Sequence, residues 1–205
     1  SGSGPKTAEG LHNLGLMYAE KNLFKEALDA YKDALKRDPG MVEVRFSMAG
    51  LFLLTNRFVE SAENYELFLD QWEGSLNLVK DAEHRLRQLY PLLGDKYIRE
   101  RDLDRATFVF HRIDELGSGT AQVFNNLALI YLGKKDLENA RKSCRKAIEL
   151  DSEFAQTYFT LGRIADLTGI DSEAIHAYQS FLNRWTAKDR FYQQAKLRLA
   201  ALGAP

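Results

Sequence analysis

Residues Leu11 to Ala34 read LHNLGLMYAEKNLFKEALDAYKDA, and this stretch decides the fold. Leu11, Leu14, Gly15 and Tyr18 recur at helical spacing, and so do Ala27, Tyr31 and Ala34. Apolar residues three and four apart predict two helices lying close together. Gly15 and Ala27 are small where the two helices would cross, and Tyr18 and Tyr31 fill the volume beside them. Such a hairpin cannot bury both faces alone, so it predicts neighbours of the same design.

The chain supplies them. A small residue in a first helix, followed twelve positions later by a small residue in a second, recurs five times: Gly15 and Ala27, Ala49 and Ser61, Gly94 and Ala106, Ala128 and Ala140, Gly162 and Ala174. Leu14, Met48, Leu93, Leu127 and Leu161 precede the first member. Three residues after it stand Tyr18, Phe52, Tyr97 and Tyr131, with Ala165 the exception. Four residues after the second member stand Tyr31, Tyr65, Phe110, Cys144 and Tyr178. Strand-type alternation is absent, and only four prolines interrupt the chain, so helices are expected throughout.

The interval between successive first-helix small residues is 34, then 45, then 34 twice. The extra eleven residues are about three helical turns, which lengthen a helix while keeping its buried face in phase. Leu78, Ala82, Leu86, Leu89, Leu93 and Tyr97 run through this segment and predict one long helix over about 77–99. Pro91 lies inside it, lacks an N–H and crowds the Arg87 carbonyl, so a kink or break is expected near Leu89. A second regularity has an offset of 113 residues: Tyr65, Phe68, Trp72, Ala82, Arg85, Leu86 and Leu89 match Tyr178, Phe181, Trp185, Ala195, Arg198, Leu199 and Leu202. Residues 8–89 and 121–202 therefore read as two copies of one module.

The pattern resembles the tetratricopeptide repeat, a 34-residue helix–turn–helix with the signature W-x2-L-G-x2-Y…A-x3-F…P. The resemblance covers about residues 8–188. The leading tryptophan slot holds Leu11, Arg45, Tyr90, Phe124 and Tyr158, and the closing proline survives only as Pro39. The resemblance implies an all-α, right-handed α-solenoid with repeats at about 8–41, 42–75, 87–120, 121–154 and 155–188, one elongated helix, and a capping C-terminal helix at about 189–202. It further implies that first helices line a concave groove that binds a protein or peptide. On that basis Asn13, Leu16, Phe46, Asp95, Asn125, Asn126, Leu129, Phe159 and Arg163 are the expected groove residues. Asn13 and Asn126 stand where this family often has asparagine, suited to a ligand backbone or equally to an inter-helix hydrogen bond. The subgroup that grips Hsp70 and Hsp90 tails has a lysine at the place of His12 and an asparagine at that of Leu16; neither is present, which argues against that ligand.

Other classes find little support. The net charge of -1 gives no global attraction to nucleic acid or to a membrane surface. Apolar runs such as Ala49–Leu54 are too short to span a bilayer. The single cysteine excludes an internal disulfide, and Cys144 occupies a core slot. His12, His84, His111 and His176 lack metal-ligand spacing, and Gly117-Ser118-Gly119 lacks the Lys-Ser/Thr of a phosphate loop. Lys134, Lys135, Arg141, Lys142, Arg145 and Lys146 form a basic cluster flanked by acids, best read as a solvated face. Trp72 and Trp185 read as packing wedges, with Arg85 and Arg198 capping or pairing locally. Residues 1–7 read as a linker. The expectation is a scaffold without cofactor, metal or catalysis, soluble and with the cytoplasm favoured. Self-assembly through the chain ends and service as a regulatory module of a larger protein are the alternatives.

Overall fold

Thr7 opens the first helix, its hydroxyl accepting the Gly10 amide at 3.0 Å. The computed structural model describes residues 7–204; the Ser/Gly-rich start expected to be a linker lies outside them, apart from Thr7. The described residues form eleven α-helices and no strand, an all-α helical repeat fold. They group into two compact units, the first ending at Leu93 and the second beginning at Gly94. The first unit holds α1 (Ala8–Glu20), α2 (Phe24–Arg37), α3 (Glu43–Leu54), α4 (Phe58–Gln71) and residues 76–93 of α5 (Leu76–Arg99). The second holds the rest of α5, α6 (Leu103–Glu115), α7 (Ala121–Gly133), α8 (Leu137–Leu150), α9 (Ala155–Thr168), α10 (Asp171–Arg184) and α11 (Arg190–Ala201).

The helices pair as hairpins: α1 with α2, α3 with α4, α7 with α8, α9 with α10. The second-helix small residues Ala27, Ser61, Ala106, Ala140 and Ala174 are all 0% exposed, which places the crossing where the sequence put it. At four of the five crossings complementary volumes explain which small residue is taken. A Cβ added to Gly15, Gly94 or Gly162 would lie 2.4, 2.7 or 2.7 Å from the ring of Tyr31, Phe110 or Tyr178. Where Cys144 replaces the ring, Ala128 fits instead. At the second crossing Ser61 donates to the Ala49 carbonyl at 2.8 Å.

Each first helix ends in the same way. Asn22, Asn56, Arg101, Lys135 and Gly169 all take the left-handed conformation, with φ between 57° and 68°. The next residue's amide reaches back to Tyr18, Phe52, Tyr97, Tyr131 or Ala165 at 2.8–3.1 Å, the Schellman closure. These turn residues follow the small residue by seven positions in all five repeats, including the one after the eleven-residue extension.

The extension is one helix. α5 runs unbroken from Leu76 to Arg99 with Pro91 inside it, so the break expected near Leu89 does not occur. Pro91 is itself exposed. Leu89, Tyr90 and Leu93 around it are 1%, 1% and 3% exposed, and this packing outweighs the one lost hydrogen bond. In the second unit α11 lies against α10 and the buried cluster of Phe159, Tyr178 and Phe181, contributing Ala195 and Leu199.

Candidate functional site

In the second unit, Gln156, Phe159, Thr160 and Arg163 fall on one face of α9, at the three- and four-residue spacing that brings side chains together. Asn125 and Leu129, one turn apart on α7, stand opposite them. Phe181 and Trp185 from the end of α10 and Phe191 from α11 complete the walls. Together these side chains line a hollow of about 120 Å³.

The floor is aromatic and rigid. The Phe159 ring meets Tyr178 at 5.8 Å, Phe181 at 5.2 Å and Phe191 at 5.4 Å, mostly edge to face. Phe181 stacks on Trp185 at 5.3 Å. One carboxylate fixes the outer wall: Asp189 Oδ1 accepts the Trp185 indole N–H at 3.2 Å and the Phe191 and Tyr192 amides at 3.0 and 3.2 Å. α11 is held a second time by Arg198, whose guanidinium donates to both oxygens of Asp166 at 2.8 and 3.0 Å. Tyr178 donates to the same carboxylate at 2.7 Å. Burial pushes the Asp166 pKa up, but the bonds from Arg198 and Tyr178 outweigh it, and the net shift is down.

The polar groups sit at the rim and at one buried point. Asn125 is 6% exposed, and its Oδ1 accepts from the Thr160 hydroxyl at 2.9 Å. Its Nδ2 has no hydrogen-bond partner among the described residues, and the side chain lines the hollow. Arg163 is exposed at the rim and makes no ion pair among the described residues. The hollow can therefore take an apolar side chain, offer an N–H to an acceptor beside it, and present a cation at its edge.

Of the groove residues expected from sequence, Asn125, Leu129, Phe159 and Arg163 converge here. Asn126 is half-buried on α7 and does not line the hollow. Asn13 and Leu16 are exposed on α1, and Phe46 is half-buried on α3, all in the first unit. Asp95 is exposed on α5. The inter-helix hydrogen bond considered for Asn126 belongs to Asn125. Sequence reasoning missed Phe181, Trp185 and Phe191 as walls, although their aromatic spacing is repeated around Phe68 and Trp72.

Elsewhere the chemistry is structural. The basic cluster is largely neutralised: Lys134 pairs with Asp104 at 2.5 Å, Lys142 with Glu138 at 2.7 Å, Lys146 with Glu149 at 4.0 Å, and Arg141 with Glu173. Cys144 is fully buried, and burial pushes its thiol up to about 12, so it carries no thiolate near neutral pH. Among the described residues no group of three or more potential metal ligands gathers, and no helix is long and apolar enough to cross a membrane.

The comparisons agree with this architecture. The family model of the tetratricopeptide repeat matches residues 8–41 and 121–154, the opening repeat of each module. A curated relative, the human protein O-mannosyl-transferase TMTC1, is 24% identical over 166 residues; this is 79% of the chain but 18% of that protein, so the chain spans less than a fifth of its length. Among solved structures, the Arabidopsis OM64 TPR domain is similar with a TM-score of 0.54 and 17% identity, over 58% of this chain and 98% of that one. The TPR2AB domain of yeast Sti1, in a complex with pHSP90, is similar with a TM-score of 0.53 and 15% identity, over 97% and 86%. YrrB, a TPR protein with an unusual peptide-binding site, is similar with a TM-score of 0.52 and 15% identity, over 93% and 92%. Two segments of the chain thus match the tetratricopeptide repeat, and the solved structures share its all-α helical repeat fold along the chain.

Proposed function

We propose that the chain is a protein-interaction scaffold that seats an apolar side chain of a peptide or protein segment in the second-unit hollow, without catalysis of its own. One observation carries this reading. Asn125, largely buried and anchored through its Oδ1 by Thr160, leaves its amide N–H unpaired among the described residues, lining an aromatic hollow where a ligand carbonyl can accept it. Arg163 supplies a planar cation at the edge, suited to a carboxylate on the same segment. Sti1 in complex with pHSP90 and the peptide-binding site of YrrB support a ligand of this kind in the shared fold. An Hsp70 or Hsp90 tail is not proposed, because His12 and Leu16 replace the clamp residues.

The test is selection of peptides from a random displayed library against the full chain, followed by titration with the selected sequences. Asn125→Ala removes one hydrogen bond, about 0.5–1.5 kcal/mol, or roughly a two- to twelvefold loss of affinity. Arg163→Glu should weaken an acidic peptide further, with the melting temperature unchanged in this exposed position. Phe159 is a poor probe: it is 8% exposed, and truncating it costs about 3–5 kcal/mol of stability. Binding indifferent to both Asn125→Ala and Arg163→Glu refutes the proposal.

A further inference from the structure

We infer that the first unit carries a second cleft of the same plan, selective for an apolar side chain flanked by a cationic one. This rests on the reading that the second-unit hollow seats a side chain. The aromatic floor is repeated at the offset of 113 residues. Phe46 meets Tyr65 at 5.5 Å and Phe68 at 5.2 Å, where Phe159 meets Tyr178 at 5.8 Å and Phe181 at 5.2 Å. Phe68 stacks on Trp72 at 5.1 Å and 29°, where Phe181 stacks on Trp185 at 5.3 Å and 28°. His12 and Ser47 form the α1–α3 hydrogen bond at 2.8 Å, where Asn125 and Thr160 form the α7–α9 one at 2.9 Å.

The two sites differ at the rim, and the difference reverses its charge. Glu43 stands where the second unit has Gln156, and Gly50 stands where it has Arg163. Glu43 is exposed and makes no ion pair among the described residues, so an anion replaces a cation. The site is also less filled. Leu78 replaces Phe191, and Phe46 is half-buried where Phe159 is buried. A Cβ added to Gly50 would meet only the Tyr65 hydroxyl, at 3.8 Å.

That hydroxyl is the second observation pointing to a ligand. Tyr65 is 0% exposed and its hydroxyl has no partner, whereas its twin Tyr178 donates to Asp166; Leu53 occupies the place of Asp166 in the first unit. Burial pushes the Tyr65 pKa up to about 12, so the phenol is neutral and its oxygen can accept an N–H. A lysine or arginine next to the seated side chain finds Glu43 as a counter-charge and aromatic faces within cation–π reach.

Each cleft contains its own tryptophan, which makes the test direct. Trp185→Phe leaves Trp72 to report the first unit, and Trp72→Phe leaves Trp185 to report the second. The probes are end-blocked octapeptides with a central leucine between two lysines or between two glutamates. In the Trp185→Phe chain, the lysine peptide should bind at least tenfold tighter than the glutamate peptide. Glu43→Lys should remove that preference, with helical content unchanged. If the glutamate peptide binds at Trp185 but Trp72 does not respond, or Glu43→Lys leaves the preference intact, this inference is overturned and the second-unit reading stands. If neither peptide perturbs either tryptophan, the side-chain-seating reading falls and this inference with it.

Discussion

Replacing Gly162 by alanine sets two known effects against each other. Alanine in a helix interior is worth up to about 1 kcal/mol over glycine. The added methyl, however, would lie 2.7–2.9 Å from the Tyr178 ring. The ring is not free to retreat, because its hydroxyl is bonded to Asp166 at 2.7 Å and its other contacts include Phe159 at 5.8 Å. Overpacking of this kind costs about 1–3 kcal/mol, so after the propensity gain the net expectation is a loss of up to roughly 2 kcal/mol. Gly50→Ala is the internal control: its nearest neighbour would be 3.8 Å away, ordinary contact, so the propensity gain of up to about 1 kcal/mol should appear alone. Repeat arrays need not unfold in one step, so each substitution should be followed by the tryptophan of its own unit during urea unfolding. Gly162→Ala is read by Trp185 in a Trp72→Phe chain, and Gly50→Ala by Trp72 in a Trp185→Phe chain. A Gly162→Ala midpoint raised as much as that of Gly50→Ala would refute the close approach on which the repeat register rests.

Two other outcomes follow from the structure. Lys135 pays the steric cost of a left-handed backbone that Gly169 avoids at the equivalent turn, so Lys135→Gly should raise the second-unit urea midpoint by an amount worth about 0.5–1 kcal/mol; a lowered midpoint would mean that the side chain contributes more than the strain. His12 is held below its ordinary value of 6.5 by burial, with the Glu43 charge opposing. A histidine that binds its proton less readily folded than unfolded costs nothing well above pH 6.5, and it destabilises the fold as pH falls through 6.5 toward the lowered folded value. The first-unit melting temperature should therefore fall between about pH 7.5 and 5.5, and His12→Asn, which copies Asn125, should flatten that slope. An unchanged slope in His12→Asn would assign the pH dependence to other groups.

The seam of small residues was legible because it is set by volume alone: Gly15 and Tyr31, or Ala128 and Cys144, must share one crossing. The eleven-residue extension was legible for a related reason, since whole turns keep Leu86 and Leu93 on the buried face. Pro91 does not break the helix, because the buried Leu89, Tyr90 and Leu93 around it outweigh one missing N–H. The left-handed turns were invisible, because asparagine, arginine, lysine and glycine share that slot and only backbone geometry unites them. At the hollow, Asn125, Leu129, Phe159 and Arg163 were among the residues that the family resemblance implied. The inter-helix bond was considered one residue away, at Asn126 instead of Asn125, a rotation of about 100° around the helix. The walls from Phe181, Trp185 and Phe191 depend on how the chain turns after α10, which Asp189 fixes and periodicity does not encode.

The central claim concerns Asn125 and the aromatic floor beside it. Its most direct measurement is a titration of the ¹⁵N-labelled chain with a library-selected peptide, following the Asn125 side-chain amide and the Trp185 indole by NMR. The account predicts that both resonances shift along one saturable curve that matches the affinity measured independently, and that Asn125→Ala weakens the curve read at Trp185. Saturable binding that leaves the Asn125 and Trp185 resonances unmoved, with shifts confined to other faces of the chain, would contradict it.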